Sequence, residues 1–232
     1  MRRRWTTVAA VIVAGVVVGL QATQAHAELP RPLTFGNPGD VPIAGDWDAD
    51  LDDEPGVYRP STSTFYRADG VGYPIPYGNT DDTPIVGDWN GNELDEIGVY
   101  RPGERTFYRP GRTPVTFGNP GDLPIVGDWN GDGRDDLGVY RPSTSTFYRL
   151  GYTPIAYGNA GDVPIIGDWT GDGDDDIGVY RPGISAFFRV GMTTGIRFGN
   201  TGDKPVIGDW DGDGRDDLGV YRPGNRTFYP WD

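Results

Sequence analysis

The stretch Gly127-Asp128-Trp129-Asn130-Gly131-Asp132-Gly133-Arg134-Asp135-Asp136-Leu137-Gly138-Val139-Tyr140-Arg141-Pro142 occurs five times in this chain, with small variations. Its Gly-Asp-Trp core starts at Gly45, Gly87, Gly127, Gly167 and Gly208, at spacings of 42, 40, 40 and 41 residues. A fixed period of that length marks one supersecondary unit copied along the chain, no copy of which can bury its apolar face alone. Outward from the quoted stretch, the third copy predicts four short strands at residues 123–129, 137–141, 146–149 and 153–157. Each is rich in Val, Ile, Tyr, Phe or Thr and is bounded by Gly, Pro, Asn, Asp or Ser. No window after residue 27 sustains a 3.6-residue apolar period, so almost no helix is expected. The 37 Gly and 21 Pro recur at fixed places in the repeat, where they make its turns.

Four strands in one such repeat is the pattern of a propeller blade. The two ends of the chain predict how the ring closes. An apolar segment ending in an aromatic residue followed by Gly-Asn is the fourth-strand pattern, and it recurs at Phe35, Tyr77, Phe117, Tyr157 and Phe198. The first of these precedes any Gly-Asp-Trp, and the last copy ends at Thr227-Phe228-Tyr229-Pro230-Trp231-Asp232 with no fourth strand. The expected fold is therefore an all-β, five-bladed β-propeller with four strands per blade. Residues 32–36 are expected to pair with the third strand of the last copy, so that no blade edge is left unpaired.

Residues 1–27 stand outside the repeat. Arg2, Arg3 and Arg4 precede an apolar run from Val8 to Leu20, and Ala25-His26-Ala27 offers a small-x-small cleavage site. This is the pattern of a secretory signal peptide, which leaves residues 28–232 as a single propeller and predicts a secreted, extracellular protein. No later segment reaches ~18 consecutive apolar residues, so no membrane insertion is expected. The chain has no Cys, and its one His, His26, belongs to the leader. Serine and cysteine triads, zinc sites and histidine acid–base chemistry are thereby excluded from the mature chain. Loss of the three leader arginines takes the formal net charge from −14 to −17. Such a surface disfavours nucleic acid and favours cations. A monomer is expected.

Most of the acids lie in the repeated loops. In the third copy Asp128, Asn130, Asp132 and Asp136 occupy positions 1, 3, 5 and 9, Gly133 stands at position 6, and Arg134 offers its carbonyl at position 7. Alternate residues of a tight turn point their oxygens at one centre, and an all-oxygen cage of six to eight ligands suits Ca2+ better than Mg2+. The fifth copy offers Asp209, Asp211, Asp213, the Arg215 carbonyl and Asp217. The fourth offers Asp168, Thr170, Asp172, the Asp174 carbonyl and Asp176, with Thr170 the weak member. The first has Asp46, Asp48, Asp50 and Glu54, with Leu51 where glycine should permit the sharp turn. The second, with Asn92, Glu93 and Glu96, is expected to bind least. The alternative use of these residues is to cap turn N–H groups. Position 12 is Val139 and strands flank the loop, so this is not an EF-hand.

The loop resembles the DxDxDGxxD loop of FG-GAP and VCBS-type repeats, familiar from integrin α-subunit propellers, and the resemblance covers the whole mature chain five times over. It implies an extracellular β-propeller with Ca2+ in its blade loops, usually serving adhesion or recognition.

Two further repeated features bear on function. The tryptophans Trp47, Trp89, Trp129, Trp169 and Trp210 are expected to pack between blades. The arginines of the Tyr-Arg-Pro triplets, Arg59, Arg101, Arg141, Arg181 and Arg222, have two readings. They pair with a loop aspartate of their own or a neighbouring blade, or they hold a ligand such as a sugar by bidentate hydrogen bonds. The leading expectation for the whole protein is a non-catalytic binding or adhesion module for an extracellular glycan or protein. A purely structural scaffold is the alternative, and a propeller glycoside hydrolase or lyase the third. Near-identical carboxylate sets argue against an enzyme, because a catalytic acid and base need different environments.

Overall fold

The computed structural model describes residues 32–70 and 74–231. The expected signal peptide lies outside the described residues. Twenty strands form five four-stranded antiparallel sheets arranged as a β-propeller. The third blade is built from Leu123–Gly127, Asp136–Arg141, Thr146–Arg149 and Ile155–Ala156, paired in sequence order. The innermost strands are Val41–Gly45, Thr83–Gly87, Leu123–Gly127, Val163–Gly167 and Lys204–Gly208. Each lies beside the next, and the fifth lies beside the first. A proline is second in every innermost strand, tolerated because this strand is a sheet edge that needs no ladder donor on its open side.

The ring closes as expected. Leu33–Thr34 is the fourth strand of the last blade, with Leu33 opposite Phe228 and Thr34 opposite Thr227. The Thr34 and Thr227 hydroxyls meet at 3.0 Å, and the Phe35 N–H donates to the Arg226 carbonyl at 2.9 Å.

Strand ends depart from the expected limits in two places. The first strand stops at Gly127 rather than Trp129, because the Asp128 N–H leaves the hairpin ladder and donates to the Asp175 carboxylate of the next blade. The fourth strand shrinks to Ile155–Ala156, since Pro154 has no N–H to donate. Among the described residues the one helical element is a short 3₁₀ turn, Pro182–Ile184, in keeping with an all-β reading.

The core sits between blades. Ile85, Trp89, Tyr100 and Phe107 of the second blade pack against Leu137 and Val139 of the third, and the same grouping recurs around the ring. Within each blade the buried tyrosine of Tyr-Arg-Pro meets a phenylalanine of the third strand at 4.7 Å between centroids, a tilted pair worth about 0.5–1.5 kcal/mol beyond its area burial. Trp47, Trp89, Trp129 and Trp210 are buried and Trp169 half-buried, so the tryptophans do pack at the blade interfaces.

Candidate metal loops and the contacts between them

Each loop leaves the innermost strand at its Gly-Asp-Trp and returns at the second strand, so the hairpin register fixes both ends of the ligand set. Gly208 pairs with Asp217 and Gly45 with Glu54. The position-1 carboxylate then gathers the turn. Asp209 Oδ1 accepts the N–H groups of Gly212 at 2.8 Å and Asp213 at 3.2 Å, while Oδ2 accepts that of Gly214 at 2.8 Å. Asp168 and Asp128 do the same in their loops. Turn capping by aspartate, the alternative use of these residues, is therefore present at position 1.

Carboxylates at positions 3, 5 and 9 also accept single turn N–H groups, Asp211 from Asp213, Asp50 from Asp52 and Glu54 from Trp47, but one such bond does not account for their clustering. Asp46, Asp48 and Asp50 each bring an oxygen to within 4.8 Å of the others, and so do Asp209, Asp211 and Asp217. Burial raises the pKa of Asp48 above its ordinary value, and the Asp50 and Asp46 charges raise it further. Burial does most to push Glu54 up to about 8, with Asp48, Asp50 and Asp46 adding repulsion. Asp136 and Asp176 are raised in the same way, first by burial and then by the carboxylates of their own loops. An all-oxygen donor set under like-charge repulsion fits a hard cation such as Ca2+, which would relieve that repulsion. In the third loop the Asn130 amide instead donates to Asp136 at 3.1 Å, tying positions 3 and 9 together. The same tie joins Asn90 to Glu96 in the second loop.

The first loop corrects an expectation. Leu51 was expected to forfeit the sharp turn, yet it sits at φ +80° beside the equivalent Gly133 at +74° and Gly214 at +80°. The surrounding hydrogen bonds impose the left-handed turn on Leu51, whose N–H donates to Asp46 at 3.1 Å. Glu93 is held likewise at +64° in the second loop.

Sequence reasoning overlooked position 8. It is Asp in all five copies, namely Asp53, Asp95, Asp135, Asp175 and Asp216. Each reaches the preceding blade around the ring and clasps its position-1 residue twice. The Asp175 N–H donates to the Asp128 carbonyl at 2.7 Å, and Asp175 Oδ2 accepts the Asp128 N–H at 2.7 Å. The clasp from Asp53 to Asp209, at 2.6 and 3.0 Å, joins the first blade to the fifth. The glycine of Gly-Asp-Trp makes room for this aspartate: a Cβ at Gly87 would lie 2.5 Å from Asp135 Oδ2. Burial is the main cause that raises these five carboxyls, to about 7 for Asp135 and Asp216 and well above the ordinary value for the others. The signal was there to find, since an aspartate repeated at a position with no ligand role calls for another one.

The Tyr-Arg-Pro arginines are paired within their own blades. Arg141 Nε and Nη2 donate to the two oxygens of Asp122 at 2.9 and 2.8 Å, and Arg59–Asp40, Arg101–Asp82, Arg181–Asp162 and Arg222–Asp203 repeat the fork. The aspartate in each case is buried. It also accepts the N–H of the asparagine three residues earlier, as Asp122 does from Asn119 at 2.8 Å. Each guanidinium lies over an aromatic ring, 4.2 Å from the Tyr148 centroid for Arg141. A ligand at these arginines would have to use the remaining Nη1 edge, which at Arg101 already donates to Glu104 at 3.3 Å.

No family model matches the chain. No curated protein matches it either. Among solved structures it is similar to BBS1N in crystals of its complex with ARL6DN. For the lead-soaked crystal the identity is 11%, the TM-score 0.44, and the match covers 86% of this chain and 69% of that one. For the mercury-soaked crystal the values are 11%, 0.40, 87% and 70%. The five-bladed arrangement rests on the sheets described above. Among the described residues no helix is long and apolar enough to cross a membrane.

Proposed function

We propose that this chain is a secreted, calcium-binding β-propeller of the FG-GAP/VCBS type, acting as a non-catalytic binding or adhesion module toward an extracellular glycan or protein. The observation that carries the reading is the set of loops that gather carboxylates, tightest at Asp46, Asp48 and Asp50 and at Asp209, Asp211 and Asp217. Those residues, with Glu54 in the first loop, would hold the ion. When bound, Ca2+ would neutralise a repelling cluster and fix the turn; it would have no part in a reaction. Calorimetric titration with CaCl2 tests this. Sites of about 10⁻⁴–10⁻³ M are expected, as in other extracellular modules. At tenfold excess over Kd each should add roughly 1.4 kcal/mol to stability by mass action. Asp211→Ala and Asp48→Ala should each remove one site, and Asn92→Ala none. A melting temperature indifferent to both calcium and chelator would end the metal reading.

The scaffold alternative is favoured by the five Arg–Asp forks, which spend most of the hydrogen-bonding capacity of the repeated arginines on the frame. A catalytic reading would need hydrolysis of a polysaccharide that one substitution, such as Glu54→Gln, abolishes while its four counterparts have no effect.

A further inference from the structure

The five blades are near-copies, yet the cleft between the first and second differs from the others in its charge, because Arg112 stands where the third blade has Tyr152 and the fourth Met192. A cavity of about 540 Å³ opens between the first and second blades, with Trp47, Arg67 and Ile75 on one side and Trp89, Glu96 and Arg112 on the other. That is within the size range of small-molecule sites. Trp89, which lines this cavity, is only 3% exposed, and its buried indole Nε1–H has no hydrogen-bond partner, as is also the case at Trp129 and Trp169. Its neighbour Arg109, whose guanidinium lies 5.2 Å from the Trp89 ring centroid, has a buried Nε–H that is also unpartnered. A buried donor left unmade costs about 1–3 kcal/mol.

The charge is the unusual feature. In a chain with 34 acidic and 20 basic residues, neither Arg109 nor Arg112 has a carboxylate partner among the described residues. Burial lowers the pKa of the Arg109 guanidinium, and the nearby Arg112 charge lowers it further. The acids on the loop side of the cavity are already engaged. Glu96 accepts from the Trp89 backbone N–H and the Asn90 amide, and Asp95 from the Asp46 N–H.

Other blades lack this combination. In the first, Trp47 Nε1–H donates to the Glu54 carbonyl at 3.1 Å and Arg67 lies 3.8 Å from Asp69. The third keeps Trp129 and Arg149 but has Tyr152 where Arg112 stands; the fourth has Met192 there; the fifth has Pro230 in place of Arg109.

We propose that the cleft between the first and second blades binds a carboxylate-bearing ligand, with the Arg112 guanidinium donating to the carboxylate. Arg109 adds positive charge behind Trp89. Ile75, which is exposed, offers an apolar wall to the carbon body of the ligand. A guanidinium fork matches the geometry of a carboxylate, and a charge-assisted bond is roughly twice as strong as a neutral one. The site does not depend on calcium and goes beyond the function proposed above.

The test is calorimetric titration of the full mature chain with sodium galacturonate, N-acetylglycine and neutral galactose. A carboxylate ligand should bind at least tenfold more tightly than galactose. Preference for galacturonate assigns an acidic sugar, and preference for N-acetylglycine assigns a peptide C-terminus. Arg112→Gln, at an exposed position that should fold normally, should weaken binding at least tenfold. Arg197→Gln, in the fourth blade, should leave it unchanged. Absence of binding by both carboxylates, or binding that survives Arg112→Gln, overturns the proposal. Calcium titration of the same sample separates this outcome from failure of the metal reading.

Discussion

The Asp135 carboxylate accepts the backbone N–H of Asp88 in the neighbouring blade at 2.7 Å, while the Asp135 N–H donates to the Asp88 carbonyl at 2.9 Å. Two bonds of opposite sense between the same pair hold one loop to the next without any ladder running between the sheets. Asp135→Ala should leave the Asp88 N–H unpaired and lower stability by about 1–3 kcal/mol. Asp135→Asn keeps an acceptor oxygen and should cost less. Urea unfolding of both variants checks this, and an unaltered alanine variant would mean that the clasp is incidental.

The same aspartates set a pH dependence. Asp135 and Asp216 are raised to about 7 and Glu54 to about 8, against ordinary values of 3.8 and 4.5. Between the unfolded and folded pKa values the native state holds more protons than the unfolded one, so stability falls as pH rises. In the presence of chelator the melting temperature should therefore be higher at pH 5 than at pH 8, with the decline between about pH 4 and 8. Asp135→Asn should flatten part of that slope. A melting temperature that climbed over this range would contradict the assignment.

Arg141→Ala removes both guanidinium donors from Asp122, a carboxylate that is 5% exposed, and leaves it only the Asn119 N–H. A buried charge left alone costs about 3–5 kcal/mol. The exposed Nη1 edge of the arginine lets water reach the site, so roughly 2–3 kcal/mol is expected here. Arg141→Lys keeps the charge and loses the fork, and should fall between the variant and the parent in thermal unfolding.

Leu51 is held at φ +80° with its side chain 58% exposed, so nothing it packs against repays the strain. Leu51→Gly should stabilise the chain by roughly 0.5–1 kcal/mol, the left-handed penalty less the extra unfolded-state entropy of glycine. A loss of stability in the same denaturant assay would show that the side chain has a role in the loop.

The repeat made the architecture legible because every level agreed: the period set the blade count, the Gly and Pro positions set the turns, and the displaced Phe35 segment set the closure at Leu33–Thr34. The tryptophan packing was legible for the same reason. What escaped was whatever depends on the neighbour around the ring. Asp135 reads in sequence as one more acid of its own loop, and only the curvature of the ring brings it to Asp88. The Arg141–Asp122 fork spans 19 residues and was one of two open readings, since nothing local selects which aspartate the guanidinium meets. The unpaired Arg109 and Arg112 look ordinary in sequence, because a missing partner shows only when every neighbour is in place.

The closing strand has a consequence for how the chain comes to be folded. Thr34 and Thr227 are 193 residues apart, so the fifth sheet joins two widely separated segments of the polypeptide. A chain growing from its N-terminus carries Leu33 and Thr34 as an idle strand until Thr227 and Phe228 have been made. Entropy opposes joining such distant segments, and topologies with distant contacts fold slowly. Rejoining the ends and opening the chain at the link between two blades would turn this latest contact into a local hairpin. The order of events, rather than the finished object, is what the closure makes vulnerable.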